Sequence, residues 1–410
     1  MPDRADGPRS VVALSAAELP AIFGGDPVRS TFLPYGHQDI DAEDEAAVLD
    51  ALRADWITQG PRVDAFERAV AERVGAVHAV AVNSGTAALH AAVFAAGLGP
   101  GDEVITTPYS FAATANCILY EGATPVFVDV RADTLNIDPG LVAERITSRT
   151  RAIIAVDFSG APADLSELQA LCRAHGLLLI EDASHALGAT YDGRLVGSIS
   201  DLTTLSFHPV KHITTGEGGM ITTNSDALAQ RLRRFRTHGI AADPRTRQER
   251  GDWFYEMVDL GYNYRIPDIQ CALGLSQLNR LSRFLARRRE LAVRYHDRLS
   301  QLSWLRLPQP SKQSAWHLYV VRLLPDQLKA NRAEVFAALR AEHIGVNVHY
   351  IPIHLHPYYR ERFGYKPGDF PIAEVAYDQI ITLPLHQGMG EKDVEDVVRG
   401  LCRIGKYYGA

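Results

Sequence analysis

Two periodicities organise the chain. From Asp41, the segments DAEDEAAVLDALRAD and RVDAFERAVAERVG carry apolar residues three and four apart. That spacing predicts two amphipathic helices, the first capped by Asp41. Seven short apolar runs follow: HAVAV, EVITT, TPVFVDV, RAIIAVD, LLLIED, TTLSF and GMITT, alternating with helical segments. Their apolar positions are continuous rather than alternating, as in parallel strands covered on both faces. Strand–helix alternation of this kind predicts an α/β layered fold. Between 225 and 300 the pattern turns helical and arginine-rich, in ALAQRLRRFR and LNRLSRFLARRRELAVRYHDRLS. Beyond it, HLYVVRLL and VNVHYIPI read as strands, and NRAEVFAALRAEH and EKDVEDVVRGLCRI as helices. The predicted organisation is an N-terminal extension (1–31), a large α/β domain (32–300) and a small α+β domain (301–410). Within the extension, Ser15 followed by Glu18 predicts a short capped helix reaching Phe23.

Composition narrows the classes. With 410 residues, 22% charged and a net charge of −7, the chain is an ordinary globular protein without general affinity for nucleic acid or anionic membranes. No run approaches the ~18 apolar residues of a membrane helix, and the first thirty residues lack a continuous apolar stretch. Cys117, Cys172, Cys271 and Cys402 are scattered without a CxxC pair. Neither a metal site nor a disulfide framework is expected, and the expected compartment is the cytoplasm.

Three segments carry chemistry. NSGTAALH (83–90) follows a strand and opens a helix, with Ser84 as N-cap and Gly85 permitting close approach to free amides that suit a phosphate. An ordinary strand–helix turn would read the same way. In LLLIEDASHALGA, Asp182 ends a buried strand, where ligands of open α/β sheets sit, and a carboxylate there needs a cationic partner. The alternative is that Asp182 caps a following helix, which would put His185 one turn on and facing the same side. In LTTLSFHPVKHITTGEGGMITT, Lys211 lies between a strand and a glycine-rich turn. A lysine partly desolvated there has a lowered pKa and can form a Schiff base. Lys211 with Asp182 matches what pyridoxal phosphate requires of a protein: an amine for its aldehyde and a carboxylate for its ring nitrogen.

With these residues in view, the chain resembles the pyridoxal-phosphate-dependent nucleotide-sugar aminotransferases, from about Phe32 to about Leu401. WITQGPRVDAFE, NSGTAALH, EDASHALGA, SFHPVKHITTGEGG, GYNYRIPDIQCALGLSQL, NVHYIPIH and ITLPL occur in the family's order. The resemblance implies fold type I, the aspartate-aminotransferase-like fold, with a homodimer whose active sites are shared. It implies that Lys211 bonds the cofactor and shuttles a proton, and that Asp182 keeps the ring nitrogen protonated. It implies Phe111 against the ring face, His185 near the ring hydroxyl, and Ser84, Gly85, Thr86 and Ser206 around the phosphate. Asn263 is implied to reach the phosphate of the neighbouring subunit. For the nucleotide sugar it points to Tyr35, the segment Asp55, Trp56, Ile57 and Thr58, His317, and the loop His349, Tyr350, Ile351 and Pro352. HPVK, SHALG and ALGLSQL are most similar to the subgroup that aminates a UDP-4-keto sugar on the route to pseudaminic acid, with L-glutamate as donor. Many relatives carry Gln where this chain has His185.

Three rival readings follow from the same residues. A sugar dehydratase of related fold carries His in place of the lysine, which Lys211 argues against. A regulatory homologue would need a DNA-binding appendage, for which thirty residues are short. A nicotinamide dehydrogenase would need GxGxxG after an early strand, and NSGTAALH lacks its first and third glycines.

Overall fold

A computed structural model describes residue 15, residues 18–241 and residues 248–409. All seven apolar runs form one sheet: β1 (His78–Val82), β2 (Glu103–Thr106), β3 (Thr124–Phe127), β4 (Thr150–Val156), β5 (Leu178–Asp182), β8 (Leu202–Ser206) and β9 (Gly219–Thr223). The spatial order is β1-β9-β8-β5-β4-β2-β3. β9 runs antiparallel to both neighbours and the remaining pairs are parallel. Adjacent residues of one strand enter different cores. Ile153 and Leu179 pack with the helix Leu165–His175, while Ile154 and Ile180 pack with the helix Gly85–Ala95. Burial on both faces is why these runs are apolar throughout. Two hairpins, β6 (Thr190–Tyr191) with β7 (Arg194–Leu195) and β10 (Ile240–Ala241) with β11 (Glu256–Met257), complete this unit.

The arginine-rich segment folds as one 32-residue helix, Asp268–Leu299. Its first half packs Leu278, Leu281 and Phe284 against the large unit, and its second half packs Leu291, Tyr295 and Leu299 into the C-terminal core. That second core rests on a three-stranded antiparallel sheet, β12 (Leu305–Arg306), β13 (Tyr319–Leu323) and β14 (Ile380–Leu383), with the helices Arg332–Ala341 and Glu391–Tyr408.

Three expectations need correction. VNVHYIPI is not a strand. It crosses the mouth of the large unit as irregular backbone, tied to β14 by an isolated bridge between Asn347 and Thr382. The described part of the N-terminal extension is not separate from the fold. Val28 and Leu33 enter the C-terminal core, Phe23 stacks on Tyr407 at 4.0 Å, and Leu33 bridges Ile344. The described part of that segment therefore packs with the small unit, and Leu33, expected within the large domain, goes with it. Finally, Ser15 and Glu18 make the expected contact, Oγ to Oε2 at 2.9 Å, but the helical turn that is described spans only Ala21–Phe23. Residues 1–14, 16 and 17 lie outside the described residues.

Candidate active site

The carboxyl ends of β4, β5 and β8, and the helix that follows β1, open into a cavity of about 640 Å³. Ser84 caps that helix, its Oγ accepting from Ala87 N–H at 3.0 Å, and Gly85 and Thr86 line the cavity behind it. A side chain at Gly85 would meet Ser206 Oγ at 3.0 Å, so the helix terminus and the Ser206 hydroxyl are close enough to share one anion. Asp182, at the end of β5, is buried and anchored on both oxygens. Thr114 Oγ1 donates to Oδ2 at 2.7 Å, and Ser184 Oγ donates to Oδ1 at 2.6 Å. No helix follows Asp182: residues 183–189 form turns, which removes the capping alternative and brings His185 to the cavity by a different route.

Lys211 is partly buried in the same cavity. Desolvation pulls its pKa down to about 8 despite the opposing charge of Asp182. Around it stand imidazoles held neutral, chiefly by burial. His185, His212 and His317 are pushed well below the usual histidine value, and His349 down to about 3. His185 Nε2 lies 3.1 Å from the Tyr350 hydroxyl, and its ring centre is 4.4 Å from that of His317. His212 Nε2 lies 3.0 Å from the Ala315 carbonyl and so supports the loop that carries His317.

The cavity unites Tyr35, Ser84, Gly85, Thr86, Phe111, Asp182, His185, Ser206, Lys211, His317, His349 and Tyr350. Phe111 stands at the mouth, 60% exposed, its ring 6.0 Å from that of Tyr350. Other expected residues lie elsewhere in this chain. Asp55, Trp56, Ile57 and Thr58 are exposed and outside the cavity lining, and the Ile57 carbonyl accepts from Asp268 N–H. Ile351 is exposed and Pro352 is buried away from the cavity. Asn263 is exposed and outside the lining, pairing through its backbone with Thr237. Thr114 and Ser184, which hold Asp182, were missed. Ser184 stands two residues from its partner and was open to notice, whereas Thr114 is 68 positions away with no local signal.

The residues present fit pyridoxal phosphate. An amine of lowered pKa and an anchored carboxylate share one cavity with an anion cradle of amides and hydroxyl. Beside them the Nδ1 atoms of His185 and His317 are buried without a partner. Among the described residues, no group of three or more His, Cys, Asp or Glu is arranged to hold a metal ion.

Fold and site together define a pyridoxal-phosphate-dependent transferase of fold type I. The family model for the DegT/DnrJ/EryC1/StrS aminotransferase family matches residues 38–402, and the chain belongs to that family. The spore coat polysaccharide biosynthesis protein SpsC of Bacillus subtilis is 44% identical, over 92% of this chain and 98% of its own length. Helicobacter pylori PseC, an aminotransferase of pseudaminic acid biosynthesis, superposes with a TM-score of 0.85 at 33% identity, covering 91% of this chain and 99% of that one. The pyridoxal-phosphate form of the putative sugar aminotransferase Spr1654 of Streptococcus pneumoniae gives 0.85 at 30% identity, over 92% and 100%. A pyridoxamine-phosphate form of the same protein matches equally well in shape, at 0.85 and 31% identity over 91% and 99%. The chain is a pyridoxal-phosphate-dependent sugar aminotransferase.

Proposed function

We propose that the enzyme moves an amino group from L-glutamate to C4 of a UDP-linked 4-keto-6-deoxy-N-acetyl sugar, supplying a 4-amino sugar for pseudaminic acid or a related nonulosonate. The observation that carries the catalytic part is the single cavity holding Lys211, Asp182 and the Gly85–Ser206 cradle. The likeness to PseC supports the choice of sugar.

Pyridoxal phosphate supplies, when bound, an aldehyde that bonds amines and a ring that accepts electrons. The protein's part is binding and proton movement. Ser206 Oγ with the Gly85 and Thr86 amides would hold the phosphate, and Asp182, fixed by Thr114 and Ser184, would offer negative charge to the ring nitrogen. With a pKa of about 8, Lys211 Nζ can lose and regain a proton near neutral pH, as a general base must. Tyr35, His349 and Tyr350 form the rim on the substrate side, and the neutral imidazoles around it present hydrogen bonds rather than charge.

The active unit in this reading is a homodimer in the cytoplasm. Trp253, Tyr255, Met257, Val258 and Leu260 are all exposed within eight residues, next to Asn263 and to the β10–β11 hairpin. A partner subunit covering that surface would bring Asn263 towards the neighbouring phosphate. Trp56 and Ile57, equally exposed, would take their part in substrate binding through the same interface. The four cysteines are free, which suits a reducing compartment.

Two measurements test this. Lys211→Ala should lose the visible absorbance of the lysine-bound cofactor and all transamination; turnover retained in that variant would remove Lys211 from the mechanism. A panel of UDP- and dTDP-linked 4-keto sugars with L-glutamate, read by mass for the amine, tests the substrate. Conversion confined to dTDP sugars would overturn the UDP assignment and leave the cofactor chemistry standing.

A further inference from the structure

A second cavity, of about 400 Å³, shares the 314–317 loop with the active site. Trp316 lines it, while the next residue, His317, lines the first cavity. Its walls come from both units: residues 132–135 and 158–162 on one side, residues 306–316 with Val320 and Arg322 on the other.

Two arginines set its character. Arg306 and Arg322 are direct cross-strand partners between β12 and β13, so their side chains share one face of the sheet. Arg322 is only 8% exposed; burial above all, and the neighbouring Arg306, disfavour its charge, against weaker support from Tyr109 and Asp133. Among the described residues neither guanidinium has an ion-pair partner. Asp133, the carboxylate in the same wall, accepts from Thr134 N–H at 2.9 Å and attracts Arg322 only at a distance. Like charges set directly opposite each other destabilise a sheet, and a buried cation is costly unless paired.

Donors surround the pair. Ser311 Oγ accepts from Ser314 N–H at 3.1 Å, and Ser314 Oγ accepts from Trp316 N–H at 3.0 Å. Each hydroxyl therefore keeps its own hydrogen to donate. Two guanidinium forks with hydroxyl donors beside them make a receptor for phosphate oxygens.

We propose that this cavity binds a small phosphate-bearing anion, held by Arg306 and Arg322 with the hydroxyls of Ser311 and Ser314. The site is separate from the cofactor's phosphate cradle and independent of which sugar the enzyme aminates. It shares a loop with the active site. His317 N–H donates to the Ser159 carbonyl at 2.9 Å, and a side chain at Gly160 would meet Trp316 N and His317 N at 3.0 Å. The loop between the two cavities is thus seated tightly on residues 159–160.

The test is calorimetric titration of the holoenzyme, its cofactor cradle filled, with inorganic pyrophosphate at constant ionic strength. One saturable site per chain is expected, weakened by on the order of tenfold or more in Arg322→Gln and in Arg306→Gln. Arg306 is exposed, so its variant keeps the test decisive if the Arg322 variant misfolds. Absence of saturable binding would overturn the proposal, as would binding unchanged in the arginine variants. Loss in Ser206→Ala with retention in both arginine variants would put the anion in the active site and overturn it equally.

Discussion

Lys211 sits under opposed influences: desolvation, joined by the charge of Arg288, lowers its pKa and Asp182 raises it, with the lowering ahead. The consequence for stability has a definite sign. Between about 8 and the ordinary value of 10.5 the unfolded chain keeps a proton that the folded chain has released, so folding becomes more favourable as pH rises through that window. Below about 8 both states carry the proton and the handicap of holding a cation in the cavity is complete. In the apoprotein, Lys211→Met should therefore raise the melting temperature at pH 7, and the gain should fade as pH climbs from 8 towards 10. A gain independent of pH would mean that the lysine's charge is not what destabilises the site. Asp182 and Lys211 were legible because each stands in a locally specified frame, a strand end and a glycine-rich turn. Arg288 was not. It belongs to an arginine-rich helix, yet it is fully buried, its Nη1 donating to the carbonyls of Trp316, His317 and Leu385. Helical periodicity cannot say which of three consecutive arginines turns inward to hold the loop above the cofactor site.

Caps and strands formed where local chemistry asked for them. Asp41 completes a capping box with Asp44, and Asn331 does the same with Glu334. The segment VNVHYIPI shows where that logic stops. Its β-branched residues favour a strand, but its neighbours leave only the Asn347–Thr382 bridge to pair with, and residues 347–350 become cavity wall. One buried group ties the N-terminal segment at two points. Glu342 is fully buried and accepts from Ala21 N–H at 2.9 Å, Val28 N–H at 2.7 Å and Arg403 Nη1 at 3.2 Å. Glu342→Ala strands those donors and should cost about 2–3 kcal/mol in denaturant unfolding. The cofactor's visible band should stay unchanged, because Glu342 does not line the cavity. A spectral change would show that loosening the segment disturbs the cavity, which Tyr35 lines.

For the molecule as a whole, the 253–260 surface is apolar and uncovered in the single chain: Trp253 is 78% and Leu260 75% exposed. Exposed apolar clusters of this kind mark contact surfaces. Sedimentation should find the parent enzyme dimeric, and Leu260→Arg should shift it to monomer and weaken cofactor binding if Asn263 acts across the interface. A monomeric parent would overturn that arrangement. Such a dimer would also account for the placement of Trp56 and Asn263, which read as site residues and stand outside the cavity of their own chain.

The seven strands, the principal helices and the lysine–carboxylate chemistry were present in the order of residues, because burial on two faces, capping and tight turns act over a few positions. Tertiary structure decided the remainder. It turned Arg288 inward, brought Thr114 to Asp182 across 68 positions, docked Val28 and Leu33 on the small unit, and set Arg306 beside Arg322. Each of those depends on contacts between segments far apart in the chain, whose strength is fixed by burial and by which partners remain to be satisfied, and neither quantity exists until the chain has folded.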